Sequence, residues 1–345
     1  MTCRPASIVA AVLTVAAVVT TLYAVEPAPT NVDAGGGPIT LEGHEGGVLA
    51  AVFSPDGKQV ATAGWDRAVK VWDLAGPGRP RVLGQHVTRV MSLAYSPDGR
   101  TVAAVAGDQT HGEVKLWDPA RGKEVWSLDT SPAAANSVAF SPDGRTVAVA
   151  LGSARAVRLL DAKDGREVGQ LAGRSGAMLA VAYSPDGSMV ATGGSDGVAR
   201  LWMVESRSEY AALSWGPTGQ AVAFCVAFTP DGKSVAVGCD DGRVRFWDVR
   251  TAQPQAELVA HKTLISRLAF SPDGRRLATA GFRDPACTAL VWSDRWLAGG
   301  QPLVGHKGYI AGLAFSPTGD RLVTASADGT AKVWTLTEDA PKPAK

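Results

Sequence analysis

Residues 43–73 read GHEGGVLAAVFSPDGKQVATAGWDRAVKVWD. Two short runs flank the tetrapeptide Ser54-Pro55-Asp56-Gly57, as Val138-Ala139-Phe140 and Thr146-Val147-Ala148-Val149 flank its copy at Ser141. Proline fixes φ at the first corner of a type I turn, aspartate tolerates the next position, and glycine supplies the left-handed one. The two runs therefore read as a β-hairpin. A second turn around Trp65-Asp66 leads into Val69-Lys70-Val71-Trp72, a third strand, and a more polar fourth strand follows.

The same pattern recurs along the chain. S-P-D-G begins at Ser54, Ser96, Ser141, Ser184 and Ser271, with T-P-D-G at Thr229 and S-P-T-G at Ser316. The seven turns repeat about every 44 residues, the period of a four-stranded propeller blade. The aromatic residues before the turns give a common register: Phe53, Tyr95, Phe140, Tyr183, Phe228, Phe270 and Phe315. Nine residues before an anchor stand His44, His86, His261 and His306; nine after stand Thr62, Thr192, Thr279 and Thr324. Thirteen after stand Asp66, Asp108, Asp196, Asp241 and Asp328, and nineteen after stand Trp72, Trp202, Trp247 and Trp334.

Over about residues 38–337 the chain resembles the WD-repeat family. The resemblance rests on Gly43-His44, Gly305-His306, Trp72-Asp73, Trp117-Asp118 and Trp247-Asp248. It implies a buried hydrogen-bonded chain of His, Ser/Thr, Asp and Trp in each blade that keeps all four. Blades one and seven are expected to carry it whole, as His44, Thr62, Asp66, Trp72 and His306, Thr324, Asp328, Trp334. Blade four keeps Thr192, Asp196 and Trp202. Blade three departs most, with Ser131 at the His position and Leu160 at the Trp position, and is expected to rely on apolar packing. The fold expected is all-β: a seven-bladed β-propeller of four-stranded antiparallel blades, monomeric. Residues 38–42 would serve as the last strand of blade seven and clasp the ring, leaving only short, protected edges.

Ahead of the repeats, Pro5–Val25 carries no charge, between Arg4 and Glu26. A helix needs about 20 apolar residues to cross a bilayer, against about 7–15 for the core of a signal peptide. Residues 1–25 therefore read as one apolar helix, an uncleaved anchor, with a cleaved signal peptide as the alternative and a cytosolic tail as a third. The charges on either side place the propeller outside the cytoplasm. Residues 26–37 read as a flexible linker and 338–345 as a disordered tail.

Chemistry has few carriers in this sequence. Lys and Arg number 34 against 33 Asp and Glu, so no basic surplus points to nucleic acid. Four of the five histidines share one repeat position, and only His111 is off-register. No C-x-x-C occurs among the four cysteines, which removes the common zinc, redox and haem motifs. Cys225 and Cys239 flank one hairpin and read either as small buried hydrophobes or as a disulfide. No cofactor, metal site or catalytic group is expected.

Departures from the strict repeat point to a binding face. Anchor-to-Trp spacing lengthens in blades two and six, within Ala106–Gly112 and Gly281–Cys287, and the passage into blade five lengthens within Val204–Ala223. The turn between strands two and three shares a face with the link to the next blade, and insertions gathered on one face often mark binding. Trp65, Asp108, His111, Tyr210, Trp215, Phe282 and Arg283 are the candidate partner-binding residues there. The reading is a non-catalytic protein–protein interaction scaffold, membrane-tethered or exported. The alternatives are a central-channel ligand binder or enzyme, and a stalked structural envelope protein.

Overall fold

The structure is a computed structural model and describes residues 21–22, 37–76, 78–173, 176–215, 221–284, 288–293 and 299–336. Seven separate sheets occur, each an antiparallel blade of four strands, with a two-residue fifth strand added in parallel to that of blade five, and no helix occurs among the described residues. Blade one comprises Val48–Phe53, Gln59–Gly64, Ala68–Asp73 and Arg81–Gln85 in spatial order. The next five blades repeat this order.

In blade seven, Ile310–Phe315, Arg321–Ser326 and Thr330–Thr335 are joined by Ile39–Glu42, antiparallel, with Leu41 opposite Ala331. First strands of successive blades pack side by side, and that of blade seven lies against that of blade one. The helix expected over residues 1–25 lies outside the described residues except for Thr21–Leu22, which pair in parallel with Glu257 and Leu258 at the edge of blade five. No helix among the described residues is long and apolar enough to cross a membrane.

Burial explains the composition of each strand. The second strand of a blade is covered on both faces by neighbouring blades, so Val102–Gly107 (VAAVAG) is buried throughout. Small Ala and Val residues let adjacent sheets approach. The fourth strand lies on the circumference, and Lys123–Asp129 buries only Trp126.

The S-P-D-G turns bind themselves shut. Ser54 Oγ donates to Asp56 Oδ1 at 2.6 Å, Asp56 Oδ1 accepts from Lys58 N, and Gly57 sits at φ +68°. The Ser54 hydroxyl, the Lys58 amide and Lys58 hold the Asp56 carboxyl below its usual range despite slight burial. The turns also touch around the ring. A methyl placed on Gly99 would lie 3.3 Å from Pro55, and one on Gly57 would lie 3.5 Å from Pro317. Arg321 of blade seven donates to Gly57 O of blade one at 2.8 Å. One face of the ring is thus a collar of closed turns.

Each first strand carries a β-bulge at its second residue, as between Val48 and Ala50 or Ile265 and Arg267. A bulge re-aims the next side chain, and here the third residue borders the central channel in every blade.

Candidate functional site

Blades one and seven hold the complete polar chain. In blade seven Trp334 Nε1 donates to Thr324 Oγ1 at 2.8 Å, Thr324 meets His306 Nε2 at 2.8 Å, and His306 Nδ1 meets Asp328 Oδ2 at 2.8 Å. Blade one repeats it with Trp72, Thr62, His44 and Asp66 at 2.7–2.9 Å. Only one tautomer satisfies every atom: Nδ1–H donates to the carboxylate and Nε2 accepts from threonine, which accepts from tryptophan. Burial pushes the pKa of His44 and His306 below 6.5, against the smaller upward pull of their aspartates. Burial raises Asp328, but the Lys307 amide, the Thr330 hydroxyl and His306 outweigh it and hold the carboxyl at about 2. These histidines are neutral struts.

A third complete chain stands in blade six and escapes the fixed register. Trp292 Nε1 donates to Thr279 Oγ1 at 2.9 Å, His261 Nε2 lies 3.0 Å from Thr279, and His261 Nδ1 lies 3.1 Å from Asp284 Oδ2. The longer turn moves the aspartate one place along, so Arg283 occupies the counted position. Searching two residues either way for a carboxylate would have found it.

The other blades substitute. In blade two the acid is Glu113, 2.8 Å from His86 Nδ1, while Asp108 stays in the loop. Ala104 replaces the threonine, and Trp117 Nε1 has no partner. In blade four Trp202 Nε1 donates to Thr192 at 2.9 Å and Asp196 pairs with Arg200 at 2.6 Å. In blade five Asp241 pairs with Arg245 at 2.5 Å, and Arg245 also holds buried Glu257 at 3.0 Å. Blade three fills the space with Val149 and Leu160, both fully buried. Cys225 and Cys239 are free, buried thiols, not a disulfide.

The turn between strands two and three is tied to the incoming link in every blade: Trp65 N to Gly47 O, Gly107 N to Arg89 O, Phe282 N to Leu264 O, Ala327 N to Tyr309 O. Both features therefore share the face opposite the collar. On it Trp65 is 50% exposed with Arg89 4.9 Å above its ring. Phe282 packs edge-on against Tyr309 at 4.6 Å, with Arg283 5.3 Å from the Phe282 ring. His111 is exposed, its Nδ1 2.8 Å from Thr110 Oγ1, and Asp108 Oδ1 accepts from the Thr110 and His111 amides at 2.8 Å. Those amides pull the Asp108 carboxyl well below the usual range.

The remaining two candidates differ. Trp215 is half-buried on the blade five link, 5.7 Å from Trp247 and under Arg245, where it fills the room the absent polar chain leaves. Tyr210 lies on the circumference in the bulge of strand Ser208–Leu213, its hydroxyl donating to Arg250 O in a collar-side turn. The circumference, not the link face, is its place. The exposed large apolar residues sort the same way: Trp65, Val87 and Val304 are on the link face, Val82, Val125 and Tyr210 on outer strands, and among the described residues none is on the collar. Among the described residues no cluster of His, Cys, Asp and Glu has the arrangement of a metal site.

The channel wall also differs from its sequence reading. The small or apolar residues near the start of the first strands, such as Leu49, Ala177 and Ile310, read from the sequence as channel-lining; the bulge instead presents the third residue of each strand, including Arg267.

Known proteins match this layout. The WD domain, G-beta repeat family matches residues 38–73, 79–118, 165–203, 212–248, 252–293 and 300–335. The unmatched stretch between 118 and 165 holds the first three strands of blade three, which has none of the His, Thr, Asp and Trp of the polar chain. The chain is similar to "Telomerase protein component 1" of Rattus norvegicus and of Mus musculus, each 31% identical over 85 residues. That segment is 25% of this chain and 3% of either relative. With six family repeats over most of its length and seven blades in its structure, this chain belongs to the WD-repeat family.

Proposed function

We propose that the propeller is a non-catalytic scaffold that holds another protein on the link face, along the arc running over blades six, seven, one and two. The observation that carries this is the uneven surface: exposed Trp65, Val87 and Val304 lie on that arc, with Arg89, Phe282, Tyr309 and Arg283 beside them. Aromatic and arginine side chains are the usual anchors of interfaces. Among the described residues the collar exposes charged side chains such as Arg100 and Arg145 and no large apolar one, and its Ser and Asp side chains bond within its own turns. Four of the histidines are likewise committed to structure, which supports the non-catalytic reading.

The test compares the two faces in crosslinked pull-downs. A Trp65→Ala, Phe282→Ala variant and a collar variant, Lys58→Ala, Arg100→Ala, are each checked for an unchanged melt. The arc variant is expected to lose the captured protein and the collar variant to keep it; the reverse pattern would move the interface. Tethering at a membrane rests on the uncharged Pro5–Val25 sequence alone. Alkaline extraction of membranes tests it: a chain that stays with lipid supports an anchor, and release removes it.

A further inference from the structure

The central channel holds a positive charge that the ring does not balance. Ala50, Ser92, Ser137, Ala180, Cys225 and Gly312 border it in six blades, and Arg267 does so in blade six. These residues line a cavity of about 160 Å³. Arg267 donates from one terminal nitrogen to Ser266 O at 2.8 Å and from the other to Met91 O at 3.3 Å. Met91 belongs to blade two, three places round a ring of seven, so the side chain reaches across the lumen. A guanidinium has five N–H donors, and two are recorded as used. No aspartate or glutamate lines the cavity, and among the described residues Arg267 has no carboxylate partner.

Arg267 is half-buried, and a charge partly withdrawn from water with no carboxylate beside it is costly. Burial accordingly draws the Arg267 pKa down from its ordinary value, and no carboxylate opposes the shift. The neighbouring polar groups are also donors. Ser137 Oγ accepts the Val181 amide at 3.3 Å, which leaves its own hydrogen free to donate, and the Ser92 hydroxyl stands in the same layer. A guanidinium flanked by hydroxyls is complementary to a small oxyanion, which it can grip in bidentate fashion.

We propose that the channel binds one compact oxyanion, a phosphate or carboxylate group, on Arg267 with Ser92 and Ser137 as supporting donors. The volume admits a compact group of a few heavy atoms. The ligand lies inside the ring, so this site stands or falls separately from the link face. An anion bound only by the folded ring would also stabilise it.

The experiment is calorimetric titration of the full chain with inorganic phosphate and, separately, with acetate, at constant ionic strength and without chloride. Saturable binding of one equivalent is expected for at least one of them, and which one distinguishes a free phosphate site from a carboxylate site. In Arg267→Met the affinity is expected to fall roughly tenfold or more, the loss of a charge-assisted hydrogen bond. Absence of binding to both anions, or equal binding by a folded Arg267→Met variant, overturns the proposal. If that variant does not fold, Ser92→Ala, Ser137→Ala keeps the guanidinium and is expected to weaken binding; unchanged affinity there overturns it too.

Discussion

Blades seven and three solve one packing problem with opposite chemistry. Between its sheet and that of blade six, blade seven buries Trp334, with Thr324, His306 and Asp328 continuing from it in an unbroken line of hydrogen bonds. Blade three puts Val149 and Leu160 in the corresponding places, fully buried among other apolar side chains. Both leave nothing unpaired, which is the requirement for a buried group. Blade two shows the intermediate case: its histidine and tryptophan remain, the threonine does not, and Trp117 Nε1 is left without a partner. A polar chain is sound when whole or absent, and costly in part.

The largest test of the comparison concerns how blade seven is assembled. Its outer strand, Ile39–Glu42, comes from the far end of the repeat region, whereas blade three is continuous. Deleting residues 38–42 is expected to abolish the cooperative thermal transition; an unchanged melt would show that the strand does not clasp the ring. Next in size is exchange of the two chemistries. Thr324→Val strips partners from His306 and Trp334 and is expected to cost about 2–4 kcal/mol in urea unfolding. Val149→Thr places a hydroxyl against apolar neighbours and is expected to cost about 1–3 kcal/mol. A loss below about 0.5 kcal/mol for Thr324→Val would mean the chain contributes nothing.

The pH dependence follows from the same contrast. His44 and His306 have folded pKa values below 6.5 because burial disfavours their charged form. Their contribution is complete above pH 6.5 and is lost as pH falls below it. Asp328, held at about 2 against an ordinary 3.8, contributes fully above 3.8 and loses that contribution as pH falls toward 2. Melting temperature should therefore decline on the acid side in two steps, and a His306→Asn variant should show a shallower first step. A flat profile from pH 7 to 5 would contradict neutral histidine struts. Smallest is repair of blade two: Ala104→Thr, giving Trp117 and His86 a shared partner, should raise stability by about 1 kcal/mol. Equal or lower stability would show that the site has no room for the hydroxyl.

Much of this was legible because the repeat fixes geometry. A turn of Ser-Pro-Asp-Gly at a regular period sets hairpin, blade and ring, and the counted positions of Thr62 or Trp334 follow from strand register. Where the spacing breaks, counting fails. Asp284 and Glu113 serve blades six and two from places the register does not predict, because a longer turn returns the strand with a different residue at the carboxylate position. Tyr210 reads as part of the link face until the structure extends the fourth strand of blade four, on the circumference, through it. Arg267 was hidden because the bulge in the first strand shifts which residue meets the channel, and nothing in the local pattern announces it.

The most direct test of a link-face scaffold is covalent footprinting of the propeller alone and with its captured protein. Protection is expected at Trp65, Val87, Phe282 and Tyr309, with the collar turns around Asp56, Asp98 and Asp143 unchanged. Protection confined to the collar, with Trp65 still labelled at its free rate, would contradict the account.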